Sequence, residues 1–386
     1  MVVAAAAIAW AALGERRLWT RTPLDLPLAA FLAWSILAAA VSEFRSQAFL
    51  EVLGLACVIY LAYQLPFRWF QARPDLIGVL YRWACVGLPI AAAVGLLSYL
   101  YLHNPHLGPF RRFSLGPQPP GVSAYALVAA MLLSLGAFPR RRWVVHACLA
   151  AGVFALIGTL SRWALLGFCI GLTFWSTRVV REQPRAVVSV LATVVISAAI
   201  TLSLPLSRTM VGQYLHGDKS RNPWPRALVV GFTPSVGFPE RLAIWRTTKR
   251  IIESHPWFGV GHGAFGTVYA RYKDPADRTI AVMELPAHLG AAHAHNDVLA
   301  VAAAAGIPAA IAFVLLLVLA LVRAFSRGIP ASTPAVAALV AMLVHGNFDA
   351  VSHAFAGPLL VFWIVLAASM AGPQPDIIAR RASAMR

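Results

Sequence analysis

Residues 292–323 read AHAHNDVLAVAAAAGIPAAIAFVLLLVLALVR, and they decide both the fold class and the place to look for chemistry. The part from 307 to 323 carries no charge before Arg323 and has the length and apolarity of a bilayer-crossing helix, roughly 17–25 residues. Ahead of it, Asn296 or Asp297 is placed to cap a shorter apolar helix, Val298 to Ala305, that ends at Gly306 and Pro308. The reading sets His295 at a helix N-terminus at the membrane surface. There the helix dipole favours the neutral, base-competent imidazole, while Asp297 pushes the other way.

The same apolar character runs through the whole chain. Of 386 residues, 59% are hydrophobic and 12% charged, against roughly 25% charged in soluble domains, which excludes a water-soluble globule. The apolar runs are continuous and rich in Ala and Leu, not short and alternating, which excludes an outer-membrane barrel. Candidate spans are 1–13, 24–41, 49–64, 76–101, 122–138, 143–160, 163–176, 186–205, 307–323, 334–344 and 358–372. The expected fold is all-α: a polytopic transmembrane bundle of about 11–12 spans with one large, partly helical periplasmic loop. It divides into N-terminal transmembrane helices (1–205), the loop (206–295), and C-terminal helices with a short cytoplasmic tail (296–386). Met1 opens directly into an apolar run without a basic leader, so an additional first helix upstream is expected. Cys57, Cys85, Cys148 and Cys169 all lie in apolar runs and read as core packers, not as a disulfide or zinc set.

The formal charge of +17 would point to nucleic acid in a soluble protein; here its distribution matters more. Alternate loops, from Arg16, Arg17 and Arg21 through Arg140 to Arg142 and on to Arg380, Arg381 and Arg386, hold sixteen arginines. The intervening short loops hold Arg45, Arg111, Arg112 and Arg162. The positive-inside rule makes the first set cytoplasmic and puts residues 206–295 outside. That segment is nevertheless basic, with all three lysines and eight arginines. Either long loops cross regardless of charge, or the segment meets an anionic ligand.

Ten of the eleven histidines, all but His146, fall in external loops or at their membrane edges, suited to proton transfer near neutral pH or to metal binding. Residues 240–254 follow Pro239 and form an amphipathic helix with Ile244, Trp245, Thr248, Ile251 and Ile252 on one face and Arg246, Lys249, Arg250 and Glu253 on the other. Arg241 falls within the apolar face, where a guanidinium needs an anionic partner. Residues 255–266, HPWFGVGHGAFG, form a backbone turn whose Gly259, Gly261 and Gly263 could bring amides near a sugar or phosphate. Arg162 is the one formally charged residue between Trp143 and Ser176, close to hydrocarbon, where it either snorkels or binds an anion. Asp349, with His345, Asn347 and His353, occupies a short external turn, placed to orient a sugar hydroxyl or the histidine or to act as an interfacial cap. No His-x-x-x-His or Asp-x-Asp spacing occurs on the external side, so no dedicated metal centre is expected.

Three segments together resemble the superfamily of O-antigen ligases and O-antigen polymerases, bacterial membrane glycosyltransferases. They are Ser161-Arg162 after a span, the helix from Arg241 to Trp245 running into His255 to Gly261, and His295-Asn296 before the next span. The ligase pattern has His, then Asn, Ser or Gln, nine residues, Gly, two residues, and Gly, Thr or Tyr. Here His295-Asn296 and Gly306 fit, and Ala309 departs at the last position.

The resemblance implies metal- and cofactor-independent, inverting transfer of a glycan from undecaprenyl pyrophosphate to lipid A-core oligosaccharide. The setting would be the bacterial inner membrane, with membrane lipids and no nucleic acid as partners. It makes His295 the general base and Arg162 and Arg241 the pyrophosphate-binding groups, with His293, Asn296, Asp349, Gly259, Gly261 and Gly263 in support. A polymerase or a protein O-oligosaccharyltransferase would use the same groups on a different acceptor. A polyprenyl-linked glycan transporter, the reading from another class, should line a path with ionisable groups near the midplane; here they cluster at the surfaces.

Overall fold

The structure is a computed structural model and describes residues 19–101, 112–115, 119–137, 142–216, 238–273, 291–327, 332–349 and 356–371. The expected span 1–13, the tail arginines and His103, His106, His288 and His353 lie outside the described residues. Every element among the described residues is helical. The order is α1 (Asp25–Val41), α2 (Arg45–Ala72, with a π-helical turn at Tyr60–Gln64), α3 (Asp75–Tyr101), α4 (Pro120–Ser134), α5 (Arg142–Thr159) and α6 (Arg162–Val179). Then follow α7 (Pro184–Ser203), α8 (Pro205–His216), α9 (Phe238–Ser254), α10 (Phe265–Tyr272), α11 (Asp297–Arg327), α12 (Thr333–Gly346) and α13 (Ala356–Met370). Helices are what such apolar runs must form, because in hydrocarbon each backbone N–H and C=O needs a partner within its own segment. Proline in the first turn starts α4, α7 and α12, where its missing N–H costs nothing.

Among the described residues five helices (α2, α3, α5, α7 and α11) are long and apolar enough to cross a membrane, and α1, α4, α12 and α13 are shorter apolar helices. These and α6 coincide with the ten described candidate spans. Helices α4, α12 and α13 are largely buried. Helix α7 is peripheral, exposing Val188, Val195, Ile196 and Ile200. Since lipid is as apolar as leucine, helix association here relies on close packing of small residues. On α6 a Cβ at Gly167 would lie 2.6 Å from the Ala341 carbonyl of α12, and one at Gly171 2.7 Å from that of Ala337. Cys85 and Cys148 are buried as expected and Cys57 is half-buried, whereas Cys169 is exposed on α6 and is no core packer.

Helix α11 breaks at Gly306 (φ 85°, ψ 172°), and the break dictates what packs beside it. In an unbroken helix Ile307 and Pro308 would serve the carbonyls of Ala303 and Ala304. Pro308 has no N–H, and the Ile307 N–H turns away to Pro256 O, 2.8 Å. The turn before α10 supplies the missing donors: Val260 N–H to Ala303 O and Gly261 N–H to Ala304 O, both 2.9 Å. So close an approach needs the positive φ of Gly259, and a Cβ there would sit 2.5 Å from Ala303 O. On its far side the turn is held by Ser42 Oγ donating to Val260 O (2.7 Å), Gln47 Nε2 donating to Gly263 O (3.1 Å) and Trp34 Nε1 donating to Trp257 O (2.8 Å).

These contacts hold the α1–α2 junction and the glycine turn against the break in α11, and at the same end Asp297, at the start of α11, lies against Gly346 at the end of α12. A cavity of about 920 Å³ lies at the other end, lined by Arg142, His146, Arg178 and Arg181 among others.

Replacing Gly306 by Ala places a methyl against the Trp257 carbonyl in a backbone region that only glycine occupies freely. The expected cost is about 1–3 kcal/mol, read as a lowered thermal midpoint in detergent. The control is Gly54→Ala in α2, which meets nothing within 4 Å and should hold or raise the midpoint. Equal midpoints for the two variants would contradict this account of the break.

Candidate functional site

The capping reading of residues 292–297 holds. Asn296 Oδ1 accepts the Leu299 N–H (2.9 Å), capping α11, and Asn296 Nδ2 donates to Asn347 O (2.8 Å) in the turn after α12. One residue earlier His295 has φ 49°, a left-handed conformation rare for a side chain of its size. Ala294, fully buried, gives its carbonyl to Trp245 Nε1 of α9 (3.0 Å). The loop is thus pinned on both sides of His295.

The pinned ring meets Asp349: His295 Nδ1 and Asp349 Oδ1 are 2.8 Å apart, with side chains 22% and 15% exposed. Asp349 reaches this position because the turn after α12 closes on His345 O, which accepts both the Phe348 and the Asp349 N–H. Its other oxygen lies against the first turn of α4, where a Cβ on Gly121 would come within 2.7 Å of Oδ2; a helix N-terminus favours negative charge there. Burial raises the Asp349 pKa. The hydrogen bond from His295 and the charges of His295 and Arg241 outweigh it and hold the carboxyl well below its ordinary range. Ionised Asp349 can only accept, so His295 donates from Nδ1 and presents Nε2 as the basic nitrogen.

Arg241 of α9 is half-buried and its Nε donates to Phe348 O at 2.8 Å. The Phe348 ring stacks on Trp163, with centroids 3.7 Å apart and planes 3° apart. Arg162 opens α6 directly before Trp163. His293 lies beside His295, ring centroids 4.3 Å apart. Burial, and then the charges of His295 and Arg241, push its pKa down to about 3 against a partial offset from Asp349, so His293 is neutral at physiological pH.

The structure therefore joins His293, His295, Asn296, Asp349 and Arg241 at one turn and sets Arg162 beside Trp163. Among the alternatives open for Asp349, contact with the histidine is the one observed. The carboxylate on His295 is not Asp297, which lies against Gly346. The glycine turn behaves differently from the expectation: its Val260 and Gly261 amides are engaged by α11, so Gly259 and Gly261 build the scaffold instead of offering donors to a ligand. The face reading of α9 holds, with Ile244, Thr248 and Ile251 buried and Arg246, Lys249 and Arg250 exposed. Phe348, Trp163 and Gly121 went unread, since nothing local in the sequence marks a ring stack or a close approach between distant segments.

Residues 147–314 match the family model described as O-Antigen ligase (Wzy_C). The match supports the O-antigen ligase superfamily, which implies a multi-pass, glycosyltransferase-like membrane enzyme with lipid-linked glycan substrates. Arg162, Arg241, His293, His295 and Asn296 lie inside the matched region and Asp349 outside it. No curated protein matches the chain. Over 93% of this chain and 97% of the other, it is similar, with 16% identity and a TM-score of 0.39, to a chain of the structure described as "Structural coordination of polymerization and crosslinking by a peptidoglycan synthase complex".

His262, in the glycine turn, has a buried Nε2 without a hydrogen-bond partner, and burial pushes its pKa from 6.5 down to about 4. The unfolded chain takes up this proton below about pH 6.5 and the folded chain only near 4. The stabilisation is therefore complete above about 6.5 and is lost as the pH falls toward 4. Thermal midpoints in detergent should drop across that window, and less steeply in His262→Gln; parallel curves would remove His262 as the cause.

Proposed function

We propose that the chain is a glycan transferase of the O-antigen ligase type in the bacterial inner membrane, moving a glycan from undecaprenyl pyrophosphate to lipid A-core oligosaccharide. The observation that carries the reading is the His295–Asp349 pair at 2.8 Å with Arg241 at the same turn. The sixteen arginines of the alternate loops favour an orientation with this end, and residues 206–295, in the periplasm.

The steps follow from the arrangement. His295 Nε2 takes the proton of the acceptor hydroxyl as its oxygen attacks the anomeric carbon. The bond from that carbon to the diphosphate oxygen breaks on the opposite side, inverting the centre, and the diphosphate departs with the electron pair. Arg241 and Arg162 stabilise the charge that develops on it. Asp349 stays ionised, fixes the tautomer and ring angle of His295, and balances the imidazolium after proton uptake. The proton acceptor and the charge-stabilising groups are all side chains of this protein, and no metal or cofactor enters the scheme.

A second reading rests on Ala309, which departs from the ligase pattern: the same groups would serve a polymerase, whose acceptor is a second lipid-linked repeat.

His295→Ala should lower transfer by roughly 10²–10⁴-fold with expression intact. Asp349→Asn should lower it by at least about tenfold, and Arg241→Ala and Arg162→Ala should lower kcat/KM for the lipid-linked donor. Normal attachment in His295→Ala would remove the proposed base. In a deletion strain, lipopolysaccharide gels showing no attached O-antigen while lipid-linked polymer accumulates identify a ligase, and a single attached repeat identifies a polymerase.

A further inference from the structure

The same turn brings together a set of ligands that spacing along the chain conceals. His293, His295 and Asp349 each direct one ligand-capable atom to a common point, all within 4.8 Å of one another, although 54 residues separate His295 from Asp349. Two imidazoles and one carboxylate suit a borderline divalent ion such as Zn²⁺. A tetrahedral ion holding its ligands at about 2.0–2.2 Å sets them roughly 3.3 Å apart. The His295–Asp349 contact, at 2.8 Å, is already inside that spacing, and side-chain rotation supplies the remainder. All three side chains are partly exposed.

We propose that His293, His295 and Asp349 form a binding site for a zinc-class divalent ion, and that its occupation inhibits glycan transfer. The binding stands on geometry. Its inhibitory consequence rests on the reading of His295 as the proton acceptor, since a coordinated His295 loses its link to Asp349 and its freedom to take up a proton. Magnesium and calcium, which prefer six or more oxygen ligands, should not compete. The neighbouring Arg241 charge disfavours a cation, which sets the site apart from a permanently loaded metal centre and suits reversible occupation.

The test uses the full chain purified in detergent and freed of metal. Co²⁺ is added as the probe and read by its visible absorption, then displaced by Zn²⁺. One equivalent should bind, and affinity should fall in His293→Ala and in Asp349→Asn by more than the roughly 10–100-fold that loss of an outer-shell partner costs. A thermal melt of each variant establishes that it is folded, and His293→Gln serves if the alanine variant is not. Transfer is measured in parallel with Zn²⁺, with Mg²⁺, and with Zn²⁺ followed by chelator. Each variant is scored against its own metal-free rate. Reversible inhibition by Zn²⁺ alone, weakened in the His293 variant, supports the site. Binding or inhibition equally strong in the variants overturns it, as does transfer that requires the ion. One equivalent bound through these residues with transfer undiminished keeps the metal site and overturns His295 as the base.

Discussion

A carboxylate set among the ends of apolar helices has to be matched by a donor, and at Asp349 that donor is His295 at 2.8 Å. The rest of the site follows from meeting this demand. Leaving one partner of a buried, charged hydrogen bond alone costs its full desolvation, so both sides of the contact must be fixed. Asp349 is fixed by the turn closed on His345 O and by the bare Cα of Gly121. His295 is fixed in a left-handed conformation between the Trp245 bond to Ala294 and the Asn296 cap. Backbone strain at a residue of this kind persists only where its surroundings over-determine it. Here three separate elements do so.

The broken helix serves the same end. Had α11 run unbroken, its cap would sit on the axis of a single long span and the glycine turn would have no carbonyls to engage. The kink at Gly306 separates a short segment, at whose start His295 stands, from the longer segment behind it. Ala303 and Ala304 are left with unanswered carbonyls, which bind the chain between α9 and α10 to the break. Helix α9, which carries Arg241 and Trp245, connects directly to that turn. The backbone defect in α11 and the placement of the arginine are two parts of one arrangement.

Much of this was legible in the sequence, and the reasons for success and failure are physical. The Asn296 cap, the break before Pro308 and the faces of α9 depend on local periodicity and on backbone chemistry within a few residues, which sequence displays. The alternation of arginines placed the loops containing Ser42, Arg162 and Asp349 on one side, and the structure gathers them there. For Asp349 the sequence leaves a sugar hydroxyl, the histidine and an interfacial cap open, because Asp349 is adjacent to His295 only in space. The spacing of the glycines marks a backbone turn that could bring amides near a sugar or phosphate. Whether an amide is free depends on what lies opposite it, and opposite Val260 and Gly261 lie the unpaired carbonyls of a helix more than forty residues away. Spacing along the chain is likewise blind to the gathering of His293, His295 and Asp349, which are close only in space.

The charge balance of the site bears on how an anionic donor would be held. Asp349 is ionised, His293 is neutral, and Arg241 contributes one positive charge whose Nε donates to the Phe348 carbonyl. Asp349 and Arg241 therefore nearly cancel before any substrate arrives. A diphosphate brings more negative charge than Arg241 can answer alone. Under the proposed function a further cation is needed, and Arg162 is carried by the helix whose Trp163 stacks on Phe348. The two arginines thus meet the site by different routes: Arg241 through its bond to the Phe348 carbonyl, and Arg162 through the helix whose Trp163 stacks on the Phe348 ring.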